Sequence, residues 1–527
     1  MASNLFPLVY SAGIKRDGTK FQSEYCLDGQ WVRFQRGKVR KIGGIKGAST
    51  VANMQRVTDL SIFPWRAGGE SLTFICGELG IRAQINSPDW TFTSNNILFN
   101  YVAQPEDMWE SETVVDTGGL ASYRVFMRTK NALNINNSIG PPVFYRKNIA
   151  TANVGAAEVT LNVGVNPLIT GGLVFAAPYL FLYGSNGLVQ YSQTDNPFVF
   201  TAGSGSGSLV ISADKVIYGS PIRGGDNSPT ILFWTLSSVV RVTNTEKNGA
   251  DFFRSDVLSN SSSILSSKCV VEYDGLYFWP GTERFFVYNG IIQEVDNRIN
   301  LNYFYNNIDM DRRQQVFGVK NTKYGEIWWF YPVKGVPGAN SRAIVYNKRE
   351  NTWYDTDISR TAGVFSADFG FMGSYGRFLA DEQNAAETNL WKHEVGDKQD
   401  AIRAGNRVIA PITSSFTTPV ISWAAFPPKV DKGAKPSQLI NRWIDLQRIE
   451  PDFVNLENPG PINCFVSVNT QEYAQSKIEF SPPQGFSSIT PKLDMRVQGR
   501  NMSLTFASED GFEVGEIILL LGVGDAR

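Results

Sequence analysis

Residues 269–295 read CVVEYDGLYFWPGTERFFVYNGIIQEV. Four short apolar runs (VVEY, LYFW, FFVY and IIQEV) are separated by DG, PGTER and NG. DG and NG favour tight hairpins, because Gly reaches the positive φ that such turns need. The runs are rich in Val, Tyr, Phe and Trp, which suit a pleated surface. The stretch therefore predicts a four-stranded antiparallel meander. One meander cannot bury both of its faces, so further copies are expected along the chain.

Copies occur. LTFICGELGIRAQI (72–85), YLFLYGSNGLVQYS (179–192), TILFWTLSSVVRVTN (230–244), the longer EIWWFYPVKGVPGANSRAIVYNKRENTWYDT (326–356) and GRFLADEQNAAETNLWKHEV (376–395) all read strand, turn, strand, and RVFMRTKNALNINN (124–137) is a weaker member. Their second strands begin near residues 81, 133, 188, 239, 285, 343 and 389. This spacing is close to the period of four-stranded propeller blades, in which neighbours around an axis cover both faces of each blade. The expectation is an all-β protein. A β-propeller of six to seven blades would span residues 51–404, with stacked sandwiches as the alternative. Residues 148–178, rich in small residues, are expected as an inserted hairpin, TAGSGSGS (201–208) as a flexible loop, and 297–315 as a helix carrying Ile299, Leu301, Phe304, Tyr305, Ile308 and Met310. From residue 405 to 527 the blade rhythm stops. Alternation such as Cys464, Val466, Val468 and Met502, Leu504, Phe506 predicts a C-terminal β-sandwich. Residues 1–50 form a third region, a docking segment with the basic patch RFQRGKVRKIGG. That patch reads either as a solvated strand–turn–strand or as a charged docking or DNA-facing surface.

Composition narrows the function. Lys and Arg total 49 against 50 Asp and Glu, so broad duplex binding through phosphate neutralisation is not expected. Cys26, Cys76, Cys269 and Cys464 are too dispersed for a zinc ribbon and read as reduced core residues. The opening residues carry no secretory signal pattern and no apolar run is long enough to span a bilayer, so synthesis in a cytoplasm is expected. The one histidine, His393, lies in a strand-like run and reads as structural; there is no GxSxG, Walker loop or GxGxxG after a strand. Asp309 and Asp311 lack the rest of an EF-hand loop, and the pair Asp381 and Glu382 is an ordinary surface turn. No catalytic residue, metal or cofactor is expected.

Three stretches carry a resemblance: GIKRDGT with DGQWVRFQRGKVRKIGGIKG near the start, SRAIVYNKRENTWYDTDISRTAGVF in the middle, and RVQGRNMSLTFASEDGFEVGEIILLLGVGDAR at the end. They resemble the tail nozzle or hub proteins of short-tailed bacteriophages, also called packaged-DNA stabilisation proteins, and ILFWTLSSVVRVT looks like a blade of their propeller. The matching residues are Gly13, Arg16, Asp17, Gly18, Trp31, Arg33, Phe34, Gly37, Lys41, Gly43, Trp353, Arg360, Arg496, Gly499 and Arg500, and they read as fold and assembly positions. The resemblance implies a virion protein without enzymatic activity. It implies a homohexameric ring below a tail adaptor, in contact with tail fibres or tailspikes and a needle or plug protein, and passing genomic DNA through its lumen. For DNA to slide, that lumen is expected to be neutral or acidic, because Lys and Arg pairs with phosphate would retard it. The competing readings are a propeller-based host-glycan binding protein of the tail and a propeller glycoside hydrolase, which would need a carboxylate pair across a cleft.

Overall fold

The computed structural model describes residues 4–22, 24–51, 57–64, 71–77, 80–86, 92–98, 108–115, 122–128, 143–146, 159–160, 164–194, 196–201, 205–222, 229–245, 252–338, 340–364, 371–375, 388–403, 406–423, 442–455 and 464–526. Six consecutive antiparallel sheets of four strands each, followed by a larger one, occupy most of it. The opening stretch is the fifth: Val271–Tyr273, Leu276–Pro280, Phe285–Tyr288 and Ile292–Glu294. Its DG turn places Asp274 at φ 53° and Gly275 at φ 77°, the doubly left-handed geometry that this dipeptide favours.

The second strands show what each meander packs against. Tyr179–Tyr183 and Glu326–Tyr331 are buried at every position, and Thr230–Thr235 at all but the first. A strand with side chains on both faces can be buried throughout only if both faces of its sheet are covered. Between the fifth and sixth sheets the filling is aromatic: Phe285 lies 5.3 Å from Trp329 and 4.6 Å from Trp353, ring centre to ring centre. Such pairs add about 0.5–1.5 kcal/mol each beyond their buried area.

The first strands of the sheets, Val57–Pro64, Trp109–Val115, Gly172–Ala176, Val216–Pro221, Val271–Tyr273, Phe317–Asn321 and Ala362–Val364, lie against one another in order, except between the fourth and the fifth. The last contacts the first. Between the fourth and fifth sheets the link is made by the Tyr277 hydroxyl, which donates to the Pro221 carbonyl at 2.7 Å, and by Trp234 against Trp279. The seventh sheet takes a strand from far upstream: Thr388–His393 pairs antiparallel with Ile45–Val51, and the hairpin Lys398–Arg403 and Asn406–Pro411 extends beyond it.

The remaining strands form four sheets, a parallel pair of Ser11–Ile14 with Tyr25–Cys26 and three larger ones, that share one apolar core, with Ile444 and Leu446 from one sheet meeting Val466, Leu504 and Phe506 from another. The N-terminal strands belong here. Asn4–Pro7 pairs with Ile518–Ala526, Asp28–Gln30 with Ser414–Thr417, and Val32–Gln35 with Lys38–Lys41, which in turn meets Phe512–Val514. The expected boundaries at residues 50 and 404 therefore do not coincide with the sheets. The described strands of residues 1–50 pair partly with one another, Ser11–Ile14 with Tyr25–Cys26 and Val32–Gln35 with Lys38–Lys41, and partly across the chain, with the C-terminal sheets and the seventh sheet. The boundary at 404 falls inside the hairpin of the seventh sheet.

Six of the seven expected strand starts fall within three residues of the third strand of a sheet; the one near 133 lies outside the described residues. The described parts of 148–178 are not an inserted hairpin. Val159–Thr160 is the fourth strand of the second sheet and Gly172–Ala176 the first of the third. The helix expected over 297–315 is a short α-helix, α1 (Leu301–Asn307), followed by a 3-10 turn at Met310–Gln315. The expected GSGS loop already turns into strand at Gly207–Val210, and residues 381 and 382 lie outside the described residues.

Candidate functional site

Two charged clusters organise the molecule. The first is a joint between the N-terminal segment, the sixth sheet and the end of the seventh. Arg33 is wholly buried between Val32 and Phe34 on the strand Val32–Gln35. Its Nε lies 2.8 Å from Glu326 Oε1, its Nη2 donates to Glu326 Oε2 at 3.2 Å, and its Nη1 donates to Glu394 Oε2 at 3.1 Å. Its plane also stacks on Tyr324, 3.6 Å from the ring centre. Burial alone would disfavour the charge, but Glu326 and Glu394 outweigh it and hold the guanidinium protonated. Burial likewise pushes the Glu326 carboxyl up. Against that, Arg33, Trp328 Nε1, Asn321 Nδ2 and the Tyr354 hydroxyl all donate to it, the environment of an ionised carboxylate.

Most residues of the resemblance converge here. Gly13, at φ +127°, lies so close to the sixth sheet that a Cβ would meet Thr352, the Trp353 carbonyl and Ile299. Arg16 bridges Asp28 (2.6 Å) and Asp355 (3.0 Å). Asp17 accepts from the backbone N–H groups of Asn302 and Tyr303, capping α1 from another part of the chain; Gly18, with φ +79°, follows it in the turn. Trp31 is buried; its backbone N–H donates to Thr356 Oγ1 and its indole to the Gly43 carbonyl. Gly43 N donates to Glu394, Phe34 packs on Tyr354, and the Gly37 turn is held by Glu350. The Trp353 indole donates to the Asp296 carbonyl.

The basic patch is not a uniform surface. Arg33 and Lys41 are buried, whereas Arg36 and Lys38 are exposed. Lys41 donates to the carbonyls of Ile412 (2.6 Å) and Glu509, and burial pushes its pKa down to about 8. Arg360 donates through Nε to His393 Nε2 at 3.0 Å, and burial lowers Arg360 to about 9. Burial and this neighbour drive the His393 pKa well below its ordinary value, so the imidazole is a neutral acceptor in the core. Arg496, Gly499 and Arg500 stand apart in the C-terminal sheets: Arg496 is exposed, Gly499 is buried, and Arg500 lies over Tyr473.

Sequence reasoning did not find the second cluster. A cavity of about 360 Å³ is lined by residues from the first strands of all seven sheets. Lys268, which precedes the fifth sheet, reaches Asp59 Oδ1 of the first sheet (2.9 Å) and Glu110 Oε2 of the second (2.8 Å). Asp59 and Glu110 belong to the first and second sheets and Lys268 leads into the fifth, so the contact joins three sheets across this cavity. Ser111 donates to the other oxygen of Asp59. Burial works against the ammonium, but the two carboxylates hold it protonated; burial also raises Glu110, which Lys268 opposes. Chemically this is one cation shared by two anions. The only trace in the sequence is a single Lys set directly before an apolar strand, in SSKCVVEY.

Among the described residues, no group of three or more His, Cys, Asp or Glu is placed to hold a metal ion, Cys26, Cys76, Cys269 and Cys464 are buried, and no helix is long and apolar enough to cross a membrane. No protein-family model and no curated protein matches the chain. Solved structures with likeness include YCF48 bound to D1 peptide (9% identity, 65% of this chain and 94% of that one, TM-score 0.34). Another is the exo-beta-1,3-galactanase from Phanerochaete chrysosporium with galactose (10% identity, 89% of this chain and 100% of that one, TM-score 0.24).

Proposed function

We propose that this chain is a non-catalytic structural subunit of a short bacteriophage tail, of the nozzle or hub type. In this reading the seven sheets are the blades of a β-propeller, completed by the strand Ile45–Val51, and the C-terminal sheets form a β-sandwich. Six copies make a ring below an adaptor, in the virion, through which DNA passes. The observation that carries the reading is the joint. Gly13 and Trp353, both residues of the resemblance, lie more than 300 positions apart in sequence, yet Gly13 abuts the Trp353 carbonyl, and Arg33, another of them, sits between Glu326 and Glu394. A conduit subunit under internal pressure needs its parts locked into one body, and buried, multiply bonded Arg supplies that lock. A cyclic ring also needs two different faces of each subunit to meet.

The test is electron microscopy of the concentrated protein. Six-fold rings with a central hole are expected, with a lumen lacking a continuous Lys and Arg lining. Monomeric discs, both alone and with an adaptor ring added, would overturn it. One observation favours a second reading, a propeller hydrolase: Asp59 and Glu110 form a carboxylate pair in the middle cavity. Both are engaged by Lys268, so a staple is the better account. Release of nitrophenol from aryl glycosides, lost in Glu110→Gln, would reverse that choice.

A further inference from the structure

A cleft of about 480 Å³ lies between the N-terminal turn 15–21 and one face of a C-terminal sheet. Its floor follows from the register. Val466, Val468, Leu504 and Phe506 point into the core, so the alternate residues of the same strands share the other face. Across it, Phe480 is opposite Asn469 and Asn469 opposite Ser503; in the next rows Gln471 faces Asn501, and Thr505 faces Thr417. The floor is thus a grid of amides and hydroxyls with an aromatic ring at its edge. Phe480 is 70% exposed.

Asn469 decides what such a grid could hold. Its Nδ2 donates to Thr505 Oγ1 at 2.9 Å and reaches Ser503 Oγ at 3.4 Å. Its Oδ1 is buried and accepts from no protein donor. The side chain as a whole is only half-buried, so a turn of its amide toward the cleft would let this oxygen accept a donor entering there. The roof is fixed in advance: Arg16 ties it to Asp28 and Asp355, and Asp17 ties it to α1. A preformed site avoids the ordering cost of closing on its ligand.

We propose that this cleft is a saccharide-binding site. A sugar offers hydroxyl donors to Asn469 Oδ1, both donors and acceptors to the Thr and Ser hydroxyls, and an apolar C–H face to Phe480. The cleft volume lies within the roughly 300–1,000 Å³ usual for small-molecule sites. The inference does not rest on the tail reading, since it needs only the single chain.

The experiment is saturation-transfer NMR on the full chain with maltose, lactose, chitobiose and glucuronic acid at millimolar concentration. At least one neutral disaccharide is expected to receive saturation. Asn469→Leu and Phe480→Ala should each weaken it tenfold or more, and Arg496→Ala should leave it unchanged. Phe480 is exposed, so Phe480→Ala keeps the fold and decides the matter even if Asn469→Leu does not fold. No transfer to any of the four sugars would overturn the proposal, as would transfer indifferent to Phe480→Ala. So would binding of glucuronate alone, abolished by Lys15→Ala with Lys20→Ala.

Discussion

The joint and the middle cavity solve the same electrostatic problem in different ways. Each places one cation between two carboxylates from distant parts of the chain. At the joint the cation is Arg33, and its side chain and those of Glu326 and Glu394 are 0%, 0% and 6% exposed. In the cavity it is Lys268, with Asp59 and Glu110, at 18%, 11% and 7%. Arg presents a planar fork that can satisfy two carboxylates and a ring face at once; Lys is a compact, strongly hydrated point charge. The dry site has the fork and the wetter site has the point charge. The difference teaches that the choice of cation follows the water left to it, and that the joint is where a lost partner costs most.

Removing the cations tests this directly. Arg33→Met leaves Glu326 and Glu394 buried without compensation and is expected to cost about 3–5 kcal/mol in denaturant unfolding. Arg33→Lys should recover little of it, because one ammonium cannot reproduce the contacts of the fork. Lys268→Met is expected to cost less, about 1–3 kcal/mol, because water in the cavity can solvate the stranded carboxylates. Equal losses at the two sites would break the comparison.

Lys41 sharpens it with pH. Its folded pKa, about 8, lies below the ordinary 10.5. Between those values the unfolded chain binds the extra proton, so this residue's contribution to stability rises as pH increases from 8 to 10.5. Wild-type Tm should therefore climb relative to Lys41→Met across that window, and a constant difference would place Lys41 in water. Arg496→Ala, at an exposed position, should change stability by no more than about 0.5 kcal/mol. A larger loss would mean that Arg496 acts like the residues of the joint.

The four-stranded sheets were legible because their signals are local. DG and NG turns, together with aromatic runs buried on both faces, are confined to a few neighbouring residues. The pairing of Ile45–Val51 with Thr388–His393 was not legible. IKGASTV is a weak strand by composition, and its partner lies beyond any local pattern. Arg33 is among the residues of the resemblance, but its partners Glu326, Glu394 and Tyr324 are not. Arg33 looked like one member of a basic patch, since burial on a strand whose neighbours Val32 and Phe34 are also buried breaks the alternation that sequence reading relies on. Asp59, Glu110 and Lys268 each look like ordinary surface charges; only the closing of the sheets on one another brings them together.

The strand Ile45–Val51 also sets a schedule. It is synthesised about 350 residues before its partner Thr388–His393. At roughly 5–20 residues per second, it leaves the ribosome about 20–70 s before the seventh sheet can be finished. During that interval a strand that will be paired on both sides is unpaired while six sheets assemble behind it. Any strand from a neighbouring nascent chain that offers the same partner could take its place. Polysomes making this protein at high density are thus where strand exchange between copies is most to be expected, and slowing initiation should reduce it.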